Sequence, residues 1–170
     1  MTDEQAREWG RRALAAGFEP RPGATYVELD AGEGVGDVVI VTRVRGQPPF
    51  GWRVVGDLLG AGIGVWDVGT DGHWHDVRAG DCGVCVPDFR DAATEGVLVA
   101  QVRERRGDPG IHVVRDTGAH CAGTRVPDGY PLFWVRGSDG YDLPGFAQPQ
   151  STTEAAAWLA AMEAAPRGAT

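Results

Sequence analysis

Residues 72 to 87, GHWHDVRAGDCGVCVP, hold two of the four histidines and two of the three cysteines in the chain. Zinc accepts imidazole nitrogen and thiolate sulfur in tetrahedral sets, so His73, His75, Cys82 and Cys85 are candidate metal ligands. A zinc or iron ion held there with an open position would activate water or oxygen. On a strand, His-x-His turns both rings to one face, because side chains alternate with period two. Cys-Gly-Val-Cys brings its sulfurs together only as a turn. If extended, Cys82 points one way with Val84 and Val86, while Gly83 and Cys85 point the other. The β-branched Val84 and Val86 favour the extended form, and burial of Trp74 would leave both imidazoles on the outer face. The spacing is also tighter than the separated ligand pairs of zinc fingers and ribbons.

Other chemistry-bearing groups are sparser. His120 and Cys121 stand in the glycine-rich run TGAHCAG, where a thiolate and base would need to face each other. GAGIG, residues 60 to 64, has part of a dinucleotide-loop spacing, but the segment after it reads as a strand, so no helix N-terminus is expected to hold a phosphate. Most of the aspartates from Asp108 to Asp142 sit beside glycine or proline, as turn-forming carboxylates do. Of the six tryptophans, most are expected in the core. Phe50 and Trp52 in PPFGW, and Trp134 in PLFWV, are the candidate anchors for a partner.

The elements that must position these groups read as helix, many strands, helix. Thr2 with Gln5 fits a capping box, and Ala6, Trp9, Ala13 and Gly17 form one stripe, which predicts an amphipathic helix over 3–16. Ser151 with Glu154 fits a second box and predicts a C-terminal amphipathic helix over 152–164, closed by Pro166. Segments rich in Val, Ile, Tyr and Trp predict strands near 24–29, 36–45, 52–56, 63–68, 73–77, 82–86, 96–103, 111–115 and 131–136. Short turns rich in glycine and proline join them, which favours antiparallel pairing. The expected fold is α+β: an antiparallel sheet or partly closed barrel of about eight or nine short strands, flanked by the two terminal helices in a single domain over 1–170. Residues 39–57 and 97–116 align as strand, proline turn, strand and Asp, which suggests either a duplicated hairpin or two hairpins of one register.

Composition narrows the class. The 170-residue chain is 42% hydrophobic, carries a net charge of −8, and has arginine for all sixteen basic residues. An acidic surface repels phosphate backbones and steers basic proteins, so the expected partner is a protein, of basic character, rather than nucleic acid. No apolar run is long enough for a membrane helix, the N-terminus MTDEQAREWGRR lacks a signal pattern, and three cysteines is an odd number, so a cytoplasmic location with reduced thiols is expected.

Two segments resemble known families. AGDCGVCVP with the preceding HWH resembles a fragment of the cupin pattern, which would imply a small β-barrel with a metal on the two histidines. This chain lacks the glutamate expected shortly after His75 and a histidine soon after Pro87, so Cys82 or Cys85 would have to substitute. GYDLPGFAQPQSTTEAAAWLAAM, residues 140–162, is similar to the strand, turn and capped helix of HicB-like antitoxin domains, which would imply partner binding without catalysis. The first function expected is therefore a non-catalytic, acidic binding protein that sequesters a protein in the manner of an immunity or antitoxin protein. The second is a small β-barrel enzyme or sensor with zinc or iron on a His-x-His and cysteine site.

Overall fold

A computed structural model describes residues 1–29, 37–46, 51–116, 132–141, 143, 151 and 153–166. The chain packs as two compact units, Met1–Val97 and Leu98–Thr170.

The first unit opens with helix α1, Asp3–Ala15, whose N-terminus carries the capping box read from the sequence. Thr2 Oγ1 accepts from the Gln5 N–H at 3.2 Å, and Gln5 Oε1 accepts from the Thr2 N–H at 3.0 Å. Its buried face is Ala6, Gly10 and Ala13, a helical spacing of small residues that lets the backbone approach a sheet closely.

Six strands follow: β1 Thr25–Glu28, β2 Val38–Gly46, β3 Trp52–Leu58, β4 Gly62–Val68, β5 His73–Asp76 and β6 Cys82–Pro87. Each pairs antiparallel with the next, and β1 pairs antiparallel with β6, which closes the barrel. Curvature comes in part from a bulge in β2: between Val41, opposite Gly56, and Arg43, opposite Val55, the register shifts. The Thr42 hydroxyl donates to the Val55 carbonyl at 3.0 Å and fixes that irregularity.

Side-chain alternation fills the barrel with Tyr26, Val39, Val41, Val54, Trp66, Val68, Trp74 and Cys85, all buried. The Trp66 ring needs unusual room. Gly56 and Gly64 are register partners: a Cβ on Gly64 would collide with that indole, and one on Gly56 would collide with Val39 and the Ile40 carbonyl oxygen and crowd the ring at 3.3 Å. Their lack of side chains is what lets Trp66 lie across the barrel wall. The aromatic core continues from Trp66 to Trp74 (centroids 5.8 Å apart), Tyr26 (4.8 Å from Trp74), Phe18 and Phe89.

Outside the barrel, α1 lies on β6. A Cβ at Gly10 would stand 2.7 Å from both the Pro87 carbonyl oxygen and Val86 Cβ. The corner after β6 is clasped by ions: Arg90 donates twice to the buried Asp88, at 2.8 Å each, and pairs with Asp3 at the start of α1. Asp91 then opens helix α2, Ala92–Arg106, accepting from the Thr94 N–H at 3.2 Å and from the Thr25 hydroxyl at 2.9 Å.

Helix α2 corrects the sequence reading, which placed a strand at 96–103. The valines there alternate well enough for a strand, but the buried positions are Thr94, Leu98, Gln101 and Val102, which share one helical face. Two of the four are polar and so escape an apolar count. The internal similarity between 39–57 and 97–116 is accordingly not two equivalent hairpins, since one begins with a strand and the other with a helix.

In the second unit β7, His112–Asp116, and β8, Leu132–Arg136, form their own antiparallel ribbon. Thus, of the nine expected strands, six close a barrel, two pair with each other, and the one at 96–103 is helical. The last helix, α3, spans Glu154–Glu163 and packs on β7 and β8. Its N-cap is Thr153, which accepts from the Ala156 N–H at 3.2 Å, while Ser151 instead bridges to Phe133. An amphipathic helix was expected, yet seven of its ten residues are buried, from Ala155 and Ala157 through Met162. Arg103 lies over the Trp158 ring, 5.8 Å from its centroid, and its Nε donates to the Ile111 carbonyl at 2.9 Å.

Two outcomes are expected. Gly10→Ala gains about 1 kcal/mol of helix propensity but overpacks the α1–β6 contact by about 1–3 kcal/mol, so urea denaturation should show a net loss near 1 kcal/mol. For Asp91, burial acts to raise the pKa, but the bonds from Thr25, Thr94 and nearby backbone outweigh it and hold the carboxyl below its usual range. Its contribution to stability is therefore complete above the ordinary aspartate pKa of about 3.9 and is lost as pH falls through the depressed folded value. An Asp91→Asn variant should be less stable at pH 7 and show a shallower acid loss in pH-dependent melts.

Candidate functional site

The strand registers decide what the 72–87 segment can do. Trp74 pairs with Gly83 inside the barrel, while His75 pairs with Cys82 and His73 with Val84 on the outer side. Cys82 is exposed and Cys85 is buried, so β6 is extended and its sulfurs leave on opposite faces. His75 Nδ1 and Cys82 Sγ meet at 2.8 Å. His73 turns instead to Asp71, with Nδ1 3.1 Å from Oδ2. The four expected ligands thus do not converge, and among the described residues no group of three or more His, Cys, Asp or Glu side chains is placed to hold a metal ion. His120 and Cys121 lie outside the described residues.

The aromatic anchors divide similarly. Trp52 is half-buried at the barrel end where β3 begins, beside an open hollow of about 600 Å³ bordered by Arg45, Arg53, Asp67 and Val68. Trp134 is half-buried on β8, opposite Val114, and Phe50 lies outside the described residues.

A different arrangement occupies the opposite end of the barrel, where β1, β3 and β5 finish and β2, β4 and β6 start. A cavity of about 120 Å³ there is walled by Trp66, Trp74, Val39, Leu58 and Cys85, and rimmed by Glu28, Asp37, Asp76, Asp81 and Cys82. Alternation explains the rim: Glu28 is two residues beyond the inward Tyr26, and Asp76 two beyond the inward Trp74. The Glu28 carboxylate lies across Gly83, where a Cβ would come within 2.6 Å of its Oε1. Glycine at 83 therefore keeps space for a carboxylate at the mouth.

The rim carboxylates differ in engagement. Asp76 Oδ1 accepts from the N–H groups of Ala79 and Arg78, at 2.8 Å and 2.7 Å, and these bonds hold it below the usual aspartate range. Glu28, Asp37 and Asp81 form no ion pair among the described residues. Trp74 is 3% exposed, and its Nε1–H has no hydrogen-bond partner among them. Burial, aided by Glu28 and then Asp37, pushes the Cys85 thiol up to about 12, so it stays protonated near neutral pH. Burial likewise raises Tyr26, whose hydroxyl also lacks a partner among the described residues.

The sequence reading missed this mouth because its acidic residues come from four separate segments. A signal was present, since each of Glu28 and Asp76 continues the inward parity of a buried aromatic. Comparison with protein families, curated proteins and solved structures finds no match to this chain.

The two thiols should separate cleanly under alkylation. In folded protein at pH 8, iodoacetamide is expected to label Cys82 and to spare Cys85 until urea unfolds the barrel, as read by peptide mass mapping.

Proposed function

We propose that this chain is a non-catalytic binding protein whose acidic barrel mouth holds a positively charged group of a basic protein partner. The observation that carries this reading is the set of carboxylates Glu28, Asp37 and Asp81, unpaired with cations among the described residues, around a cavity walled by Trp66 and Trp74. Carboxylates supply charge, and indole faces supply a cation–π surface worth about 0.5–2 kcal/mol depending on desolvation. The net charge of −8 adds long-range attraction, which speeds encounter with a basic partner. Binding rather than turnover suits the mouth, because the sulfur inside it, Cys85, is held as an unreactive thiol. Sequestration of this kind is how an immunity or antitoxin protein acts, and a cytoplasmic setting would keep the three cysteines reduced.

The test uses an octa-arginine peptide and fluorescence anisotropy at about 0.15 M salt, where charges beyond about 8 Å are screened. Glu28→Gln with Asp37→Asn should weaken binding about tenfold, equivalent to about 1.4 kcal/mol. Glu4→Gln with Glu8→Gln removes the same charge from the exposed face of α1 and should change affinity less than about twofold. Equal losses in both pairs would show attraction to net charge alone and defeat the reading.

A further inference from the structure

The outer face of the barrel carries a row that the binding reading does not use. Register pairs Arg53 with Asp67, Asp67 with His75, and His75 with Cys82, so four adjacent strands place these side chains abreast. Arg53 grips Asp67 through Nε at 2.8 Å and through Nη2 at 2.9 Å. At the other end of the row, the His75 Nδ1 to Cys82 Sγ separation of 2.8 Å is hydrogen-bond reach for a nucleophile and its base. Asp67 and Asp76 are the carboxylates that interact electrostatically with His75.

Cys82 also lines the mouth cavity, together with Asp81, Glu28, Asp37 and Trp74, while its exposed thiol meets His75 on the outer face. The unpartnered Trp74 Nε1–H is a second, independent sign that the cavity can receive a group, because a buried donor gains a hydrogen bond only from something that enters. We propose that Cys82 is a site of thiol–disulfide exchange selective for small cationic disulfides. The selectivity rests on the acidic-mouth reading above, whereas the exchange rests on His75 and Cys82.

In the step, His75 takes the Cys82 proton and the thiolate attacks one sulfur of the entering disulfide. The old S–S bond breaks as the new one to Cys82 forms. The displaced half leaves as a thiolate and recovers the proton from imidazolium, so Cys82 is oxidised and the leaving half is reduced. Ammonium groups on the entering disulfide are drawn to the rim carboxylates, and carboxylate-bearing disulfides are repelled. Cys85 cannot take this role, being buried inside the barrel.

The full-length protein is treated at pH 7 with cystamine, with neutral bis(2-hydroxyethyl) disulfide and with glutathione disulfide, and adducts are mapped by mass. Each rate is divided by that of the same reagent on urea-unfolded protein. Cystamine is expected to modify Cys82 about tenfold faster than the neutral reagent, with glutathione disulfide slowest. His75→Gln should slow cystamine about tenfold or more at pH 7. That gap should close well above the ordinary thiol pKa of about 8.5, where thiolate forms without a base. Equal normalised rates for the three reagents, an unchanged rate in His75→Gln at pH 7, a gap that persists at high pH, or adducts that map to Cys121 instead would each overturn the proposal. Cys82→Ser should abolish the adduct, whereas octa-arginine affinity is read independently through Glu28→Gln with Asp37→Asn, so the exchange and the partner-binding reading can fail separately.

Discussion

Closing six short strands on themselves leaves an interior with little width, and two indoles claim much of it. Trp66 fits because Gly64, opposite Gly56, leaves room for its ring, and Gly83, opposite Trp74, leaves room for the Glu28 carboxylate. Interiors tolerate neither voids nor overlaps, so these glycines and tryptophans constrain one another. The next inward positions along β1 and β5 then fall at the barrel's end, beyond the indoles, where a side chain meets water. Glu28 and Asp76 take those positions. The acidity of the mouth is thus a product of strand length and parity: one more inward position would have required an apolar residue.

The same parity divides the cysteines. Cys82 and Cys85 are three apart on an extended strand, and an odd separation sends them to opposite faces. One sulfur joins the aromatic interior beside carboxylates, where charge is disfavoured. Its neighbour reaches solvent beside an imidazole. A pair that looks like a chelate on paper becomes two thiols of unlike reactivity, and the strand between them is the whole reason.

Much of the architecture could be read from residue order. The Thr2 and Gln5 cap, the glycine-punctuated strands and even the split of Cys82 from Cys85 follow from local rules acting over a few residues. Helix α2 did not, because Val97, Val99 and Val102 mimic a strand while the residues that identify its buried face include Thr94 and Gln101. Its start signal, Asp91 ahead of Thr94, was present and overlooked. The extent of α3's burial was hidden for another reason: alanine is small enough to read as neutral, and only packing on β7 and β8 shows that Ala157, Ala160 and Ala161 are interior. The mouth demanded closure of β1 on β6, a long-range event that no window of sequence contains.

That closure also bears on how the barrel is assembled. Five of its six strand interfaces join neighbours in the chain, and only the β1 to β6 seam joins segments some sixty residues apart. Loop entropy rises only slowly with length, so closing this seam costs only modestly more than closing each hairpin of the meander. The seam has three register pairs, and α1 lies along its β6 side through Gly10. A helix that precedes β1 in the chain thus packs against the strand on one side of the ring's one long-range joint.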